Sequence, residues 1–389
     1  MQYVTLKYKN KPVSRFGMGC MRLPQIKKSD GTEIIDEQES IRMIRYAIEN
    51  GVNYFDTAYS YTGSERVLGK ALLDGYRQKV YIATKCPVWY VKTGADYGRF
   101  FDEQRIRLRS DYIDVYLFHC LDRANWERVK ATDGIKRLEE LKQRGVIGQI
   151  GFSFHGERRL FIEIIDSFKW DICLIQLNIL DDDYQAGMAG LKYAASKDIS
   201  VAIMEPLKGG LLGGSAPKEA EALLNSYEEI RPLHEWAFRW LYHHAEAAVI
   251  LSGVGSMEQL KDNLRIFGEA KPGVMSDRDM ELIRQIKYIY AGKVKIPCTG
   301  CGYCMPCPAG VNIPEIFKAY NDSPILSWKE FIKTFYSLET DSPCKGAVNC
   351  TGCGHCESQC PQNIKIADML KKARGVMGRG YNHYENDTI

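Results

Sequence analysis

Residues 52–87, VNYFDTAYSYTGSERVLGKALLDGYRQKVYIATKCP, contain one complete strand–helix–strand unit. The short apolar runs VNYFDTA (52–58) and VYIATKCP (80–87) are typical of buried strands. Between them, SERVLGKALLDG (64–75) repeats apolar residues at intervals of three and four, which predicts an amphipathic helix. This order predicts two parallel strands joined by a helix that covers them.

The same unit recurs on both sides of this stretch. Further strand-like runs are RFGMGCMRL (15–23), IDVYLFHC (113–120), IGQIGFSF (147–154), ICLIQLNI (172–179), SVAIMEPL (200–207) and AVILSGVG (248–255). Helical segments between them include SIRMIRYAIEN (40–50), DGIKRLEELKQRG (133–145) and MEQLKDNLRIF (257–267). Eight units in about 260 residues favour an α/β fold of the (β/α)8 TIM barrel type over an open doubly wound sheet. No Gly-x-Gly-x-x-Gly opens the first unit, so a Rossmann-type dinucleotide site is not expected.

A polar residue stands at the end of most of these apolar runs. Active sites of TIM barrels lie at the carboxyl ends of the strands, where such residues would meet. The polar strand-ending residues are Asp56, Lys85, His119, Ser153, Gln176, Glu205 and Ser252.

The segments FDTAYSYTGSE (55–65), IATK (82–85) and YLFHC (116–120) supply Asp56, Tyr61, Lys85 and His119. In their types, spacing and order on successive strands these four residues resemble the catalytic tetrad of the aldo/keto reductase superfamily. The resemblance extends over roughly residues 5 to 270 and is to the type that carries a C-terminal 4Fe-4S domain. It implies that the four residues are catalytic.

Carbonyl reduction explains why these residue types occur together. The developing alkoxide needs a proton near pH 7, and a free tyrosine, with a pKa of about 10, gives up its proton too reluctantly. Lys85 would stabilise the Tyr61 phenolate, and Asp56 would keep Lys85 charged and oriented. His119 would donate a hydrogen bond to the substrate oxygen.

The resemblance also implies NADP(H) bound across the barrel mouth. The implied cofactor-binding residues are Ser153, Gln176, Glu205, Leu207, Gly253, Gly255, Ser256, Gln259 and Asn263. Gln259 stands where some relatives place an arginine for the ribose 2′-phosphate, which leaves NAD(H) open as the alternative. Met204 stands where relatives often place an aromatic residue that stacks on the nicotinamide.

Three further residues near the predicted site have two interpretations each. His155 lies beside the position where the family commonly has an asparagine for the nicotinamide carboxamide, and a structural role is the alternative. Trp89 and Tyr90 would line the substrate pocket or pack at the surface. Substrate specificity is expected from the segments 87–100 and 209–229, in loops above the barrel.

Nine of the thirteen cysteines lie between residues 298 and 360. The run CTGCGHCESQCP (350–361) has the spacing C-x2-C-x2-C-x3-C-P of bacterial ferredoxins, and CTGCGYCMPCP (298–308) is one residue shorter before its last cysteine. Two 4Fe-4S clusters are therefore predicted, because three cysteines of one run and the last cysteine of the other hold each cluster in two-cluster ferredoxins. The predicted sets are Cys298, Cys301, Cys304 and Cys360, and Cys350, Cys353, Cys356 and Cys307.

Two alternatives remain open for these cysteines. Cys344 could replace Cys307, whose spacing departs from the motif. Zinc also accepts four thiolates, although its sites usually combine two separated C-x2-C knuckles. Cys20, Cys86, Cys120 and Cys173 are most simply buried barrel residues, although Cys120 could instead line the pocket.

The composition narrows the remaining possibilities. With 52 basic and 49 acidic residues in 389, the net charge of +3 does not favour nucleic acid or an anionic membrane as a partner. We expect a cytoplasmic protein with neither a signal peptide nor a membrane span. The predicted domains are a barrel over 1–280, a small, mainly helical ferredoxin-like domain over 281–375, and a tail over 376–389.

The sequence thus predicts an oxidoreductase that moves hydride between NADP(H) and a small aldehyde, ketone or alcohol. The clusters would be structural or would carry electrons from a ferredoxin-like donor. The alternative is an electron-transfer or redox-sensing protein whose barrel binds nucleotide without turnover. The substrate, the oligomeric state and the physiological direction are not predicted.

Overall fold

The computed structural model describes residues 1–6, 12–29, 32–322 and 346–374. The chain divides into two compact units. The first, the barrel unit, comprises Met1–Pro206 and Ala237–Ser276, and the second, the cysteine unit, comprises Leu207–Trp236 and the chain from Asp277 onward. The predicted domain boundaries at 280 and 375 stay predictions, and the predicted tail over 376–389 lies outside the described residues.

Eight parallel strands form a closed barrel in the first unit. They are β3 (Phe16–Gly19), β6 (Tyr54–Asp56), β7 (Tyr81–Cys86), β8 (Ile113–Leu121), β9 (Ile147–Phe154), β10 (Ile172–Gln176), β11 (Ser200–Met204) and β12 (Ala247–Gly253). Each strand pairs with the next, and β12 pairs with β3 to close the barrel. The prediction of a TIM barrel is confirmed, and every strand-like run of the sequence overlaps one of these strands.

Helices cover the barrel between its strands. They are α1 (Glu37–Glu49), α2 (Ser64–Ala71), α3 (Ala95–Leu108), α4 (Arg123–Ala131), α5 (Gly134–Gln143), α6 (Arg158–Ser167), α7 (Gly187–Ser196), α9 (Leu233–His243) and α10 (Met257–Gly268). Polar side chains begin several of them: Asp36 accepts a hydrogen bond from the Glu39 N–H in α1, and Ser256 accepts one from the Gln259 N–H in α10. Both residues are N-caps that satisfy otherwise unpaired helical N–H groups.

Two small antiparallel sheets lie outside the barrel sheet. One pairs β1 (Tyr3–Thr5) with β2 (Pro12–Ser14), and the other pairs β4 (Gln25–Lys27) with β5 (Glu33–Ile35). Leu6 and Val13 are buried with the inward-facing strand residues, such as Leu117 and Leu174. The N-terminal residues therefore extend the apolar filling of the barrel, which the sequence patterns did not predict.

The cysteine unit contains α8 (Lys218–Asn225), α11 (Asp277–Ala291), α12 (Ile313–Asp322), α13 (His355–Ser358) and α14 (366–374). Its apolar core includes Ile296, Val311, Phe317, Ile366 and Leu370. This core is small, as expected of a unit of this size. The predicted helical stretch SWKEFIKTFYSLE (327–339) lies outside the described residues.

The segment 207–236 packs within the cysteine unit. Lys293, which follows α11, pairs with Glu219 in α8 at 3.0 Å, and Tyr227 donates a hydrogen bond to Asp279 at 2.6 Å. A Cβ atom built on Gly209 would lie only 2.0 Å from the Thr299 carbonyl oxygen. Glycine is therefore required there, because the two backbones approach too closely for any side chain.

Within the described part of the chain, no helix combines the length and the apolar composition that a membrane crossing needs.

Candidate active site and cluster cysteines

The four predicted tetrad residues converge at the carboxyl ends of three adjacent strands. Asp56 ends β6, Lys85 and His119 lie near the ends of β7 and β8, and Tyr61 lies in the loop before α2. The Lys85 ammonium donates to Asp56 Oδ1 at 2.5 Å, to the Thr57 carbonyl at 2.9 Å and to the Tyr61 hydroxyl at 3.4 Å. The ring centroids of Tyr61 and His119 are 5.8 Å apart.

Burial and the neighbouring side chains together determine the charge of Lys85. Lys85 is 1% exposed and Asp56 is 4% exposed. Burial alone would lower the pKa of Lys85, but Asp56 and Tyr61 together outweigh it, and the net shift is upward. Lys85 is therefore charged near neutral pH and stabilises negative charge on the Tyr61 oxygen.

His119 is held as a neutral imidazole. Burial, with smaller contributions from Lys85 and His155, keeps the pKa of His119 well below its ordinary value. The Ser60 hydroxyl lies 3.5 Å from His119 Nδ1, and the Trp89 ring centroid lies 5.0 Å from that of His119. Neutral His119 can donate a hydrogen bond to an oxygen beside Tyr61, and Trp89 contributes an apolar wall at the same place.

A buried polar network behind Lys85 was not predicted from the sequence. The Glu65 carboxylate accepts hydrogen bonds from Thr84 at 2.7 Å and Gln104 at 2.6 Å, and it pairs with Arg107 at 3.2 Å. Gln104 also donates to the Lys85 carbonyl at 3.2 Å. This network fixes the strand that carries Lys85. Its only sequence signal was Glu65 itself, which ends the quoted motif FDTAYSYTGSE.

The predicted nucleotide-binding residues of the barrel lie along the same edge of the sheet. Ser153 lies in β9, Gln176 ends β10, and Glu205 follows β11. Ser153 Oγ accepts a hydrogen bond from the Cys120 N–H at 2.7 Å, and Gln176 donates to Asp181 at 3.0 Å. Leu207 begins the cysteine unit, and Met204, the last residue of β11, is half-buried.

The remaining predicted nucleotide contacts surround the start of α10. Gly253 and Gly255 are exposed, and the Gly255 N–H donates to Gln259 Oε1 at 2.9 Å. Asn263 donates to Ser252 Oγ at 3.0 Å. Exposed glycine backbone followed by a twelve-residue helix suits a phosphate, because the first N–H groups and the helix dipole point toward it. The residues present therefore fit a dinucleotide phosphate.

The first predicted set of cysteines surrounds one cavity in the cysteine unit. Its lining includes Cys298, Cys301, Cys304 and Cys360 together with the apolar side chains of Phe317 and Ile366. The Gly300 N–H donates to Cys298 Sγ at 3.4 Å. Four thiols from both runs around an apolar cavity, with a backbone N–H aimed at sulfur, fit a 4Fe-4S cluster.

The electrostatic interactions of Cys304 indicate that the same four cysteines lie close together. Burial and then Cys301, Cys298 and Cys360 raise the pKa of Cys304 to about 12. Thiolates this close together repel one another, which favours the protonated thiols. Binding of a metal cluster must therefore displace protons from these cysteines.

Members of the second predicted set also lie near one another. Burial and then Cys307 and Cys350 raise the pKa of Cys356. Cys307 is thus near its predicted partners despite its shortened spacing, whereas Cys344 lies outside the described residues. Among the described residues, no three His, Cys, Asp or Glu side chains are close enough together to ligate a single metal ion.

The fold and the site together define a TIM-barrel oxidoreductase with an added iron–sulfur domain. Residues 15–287 match the aldo/keto reductase family, and residues 297–364 match the 4Fe-4S dicluster domain. The chain belongs to the aldo/keto reductase family and carries a C-terminal 4Fe-4S dicluster domain.

Named relatives resemble the barrel but differ in activity. The NADH-specific methylglyoxal reductase of Escherichia coli is 26% identical over 323 residues, which are 70% of this chain and 94% of that protein. The L-galactose dehydrogenase of Arabidopsis thaliana is 27% identical over 66% of this chain and 85% of its own length. The holo form of an aldo-keto reductase from Bacillus halodurans is 27% identical, with a TM-score of 0.61 over 74% of this chain and 96% of that chain.

Proposed function

We propose that this protein is an NADP(H)-dependent carbonyl reductase that uses Tyr61 as its general acid. The observation that carries the proposal is the position of the Lys85 ammonium, 2.5 Å from Asp56 Oδ1 and 3.4 Å from the Tyr61 hydroxyl. A buried cation directed at a phenol lowers the cost of removing the phenol proton.

The proposed reaction moves one proton and one hydride. When bound, the nicotinamide supplies hydride to the carbonyl carbon or accepts it in the reverse direction. Tyr61 gives its proton to the carbonyl oxygen, Lys85 stabilises the phenolate that remains, and Asp56 holds Lys85 in place. Neutral His119 donates a hydrogen bond to the same oxygen, and this bond strengthens as negative charge develops there.

NADP(H) is proposed as the coenzyme, with NAD(H) as its competitor. Two observations support the competitor, NAD(H). Gln259 is neutral and already accepts a hydrogen bond from Gly255, and the Escherichia coli relative is named as specific for NADH. Dissociation constants for NADPH and NADH, measured by quenching of protein fluorescence, decide between them. Tighter binding of NADPH supports the proposal, and tighter binding of NADH overturns its coenzyme.

We further propose two 4Fe-4S clusters, ligated by the two cysteine sets. When bound, each cluster can accept or donate one electron. Anaerobic titration with NADPH distinguishes their roles. Bleaching of the visible absorbance would show that the clusters accept electrons from NADPH. An unchanged spectrum would mean that the clusters are structural or are reduced by a ferredoxin-like donor instead.

Tyr61→Phe tests the proposed reductase, because it removes the acidic proton and keeps the ring. The activity to measure is NADPH oxidation with methylglyoxal, the compound in the name of the Escherichia coli relative, and with a panel of simple aldehydes and ketones. We expect kcat to fall about 10²- to 10⁴-fold while NADPH affinity is unchanged. Wild-type protein that binds NADPH but reduces no carbonyl compound would favour the rival redox-sensing function.

A further inference from the structure

A second histidine, His155, lies at the barrel mouth beside the strand that carries His119. Its backbone N–H donates to the Leu121 carbonyl at 2.9 Å, which places it next to the end of β8. Alternate side chains along β9 face opposite sides of the sheet. Phe154 packs against Phe161 in helix α6, with ring centroids 5.1 Å apart, so the next side chain, that of His155, faces the barrel interior.

The His155 side chain is buried, and one of its two ring nitrogens lacks a hydrogen-bond partner among the described residues. The side chain is 6% exposed, and the nitrogen in question is Nδ1. Burial, opposed by a hydrogen bond with Gln185 and assisted by the charge of Lys85, lowers the pKa of His155 to about 4. A buried polar atom without a partner is costly, and at a substrate pocket it is a position where a ligand atom can bind.

His244 is a second buried histidine with which His155 can be compared. It too has a buried ring nitrogen without a partner in the described structure, and burial lowers its pKa to about 4. His244 precedes β12, at the amino-terminal end of the barrel, where no tetrad residue lies. An unsatisfied imidazole is therefore not a signal by itself. The signal is its position beside His119 and Lys85.

We propose that His155 binds an oxygen on the carbon next to the reacting carbonyl, so that the enzyme selects α-hydroxy and α-oxo carbonyl substrates. This inference rests on the proposed reductase function. His119 binds the reacting oxygen, and the neighbouring His155 binds the second oxygen. A neutral imidazole can both donate and accept a hydrogen bond, so it accommodates a hydroxyl or a carbonyl equally.

Hydroxyacetone and butan-2-one form the test pair, because the second replaces only the hydroxyl of the first by a methyl group. Wild-type protein is expected to favour hydroxyacetone about 10- to 100-fold in kcat/KM. His155→Leu should abolish this preference, because hydroxyacetone then loses the hydrogen bond to its second oxygen. His155→Gln, which restores a hydrogen-bonding group, should keep part of the preference, and His244→Leu should keep all of it.

Four results would overturn the inference. An equal loss with both ketones in His155→Leu would make His155 a structural residue. Weaker NADPH binding with unchanged ketone preference would assign His155 to the nicotinamide carboxamide. Wild-type protein that reduces butan-2-one without preferring hydroxyacetone would refute the substrate class alone, whereas wild-type protein that reduces neither ketone would refute the proposed function as well.

Discussion

The candidate sites of the barrel unit and of the cysteine unit are formed in different ways. In the barrel, Asp56, Lys85 and His119 come from three strands, and hydrogen bonds of a closed sheet set their positions. In the cysteine unit, the proposed ligands come from two short runs that surround a small apolar core. The barrel site is thus assembled by the protein alone, whereas we expect the cysteine unit to gain part of its folding free energy from metal binding.

The largest expected effect is confined to the barrel. Lys85→Met should lower kcat for carbonyl reduction about 10³-fold, because the Tyr61 phenolate loses its cation, and should leave the iron content unchanged. Steady-state kinetics and iron analysis measure both quantities. The matched control is Lys79→Met, at an exposed lysine before the same strand.

Folding of this variant needs its own check, since Asp56 loses its buried partner. Loss of one member of a buried pair costs about 3–5 kcal/mol. The double variant Asp56→Asn/Lys85→Met should recover stability without recovering activity. Near wild-type kcat in the folded double variant would contradict the role given to Lys85.

The next effect is confined to the cysteine unit. Cys307→Ser should remove about four of eight irons per chain, because Cys307 is the proposed fourth ligand of the second cluster. Iron analysis of anaerobically purified protein measures it, with Cys173→Ala in β10 as the control. Iron loss in Cys344→Ser instead of Cys307→Ser would reassign the ligand.

A third effect is the response of the barrel to acid. The pKa of His155 is lowered from 6.5 in the unfolded chain to about 4 in the fold, so its contribution is fully present above pH 6.5 and is lost as the pH falls toward 4. Urea denaturation should show that this loss is about 3 kcal/mol smaller in His155→Leu than in wild type. The same pH dependence in both proteins would show that His155 does not titrate in this way.

The smallest effect concerns the close approach inside the cysteine unit. Gly209→Ala should destabilise that unit by about 1–3 kcal/mol more than Gly210→Ala. Both glycines have positive φ, but a Cβ at Gly209 meets Thr299 whereas one at Gly210 has no atom within 4 Å among the described residues. Thermal loss of cluster absorbance compares them, and equal midpoints would refute the importance of this contact.

The two units also differ in how far the sequence predicts them. Strand periodicity predicted the barrel, and the carboxyl ends of its parallel strands must meet. The group formed by Asp56, Tyr61, Lys85 and His119 was predicted from the resemblance to the aldo/keto reductase family. The network around Glu65 could not be predicted. It depends on α2 and α3 packing against β7, and no local pattern encodes such contacts.

For the cysteine unit, spacing predicted which thiols would come together but not the structure around them. Nothing in the sequence indicated that Gly209 packs against Thr299, because that contact joins residues 90 positions apart. The orientation of the His155 side chain could not be predicted from the sequence for a similar reason. Only the alternation along β9 and the hydrogen bond to Leu121 show that its side chain faces inward.

The most direct test of the central claim is the amount of alcohol formed per NADPH oxidised, measured on anaerobic protein of known iron content. We expect one alcohol per NADPH at about eight irons per chain, because hydride passes from coenzyme to carbonyl in the barrel. NADPH oxidation without alcohol would mean that the electrons go to the clusters or to oxygen, and it would contradict the proposed carbonyl reductase.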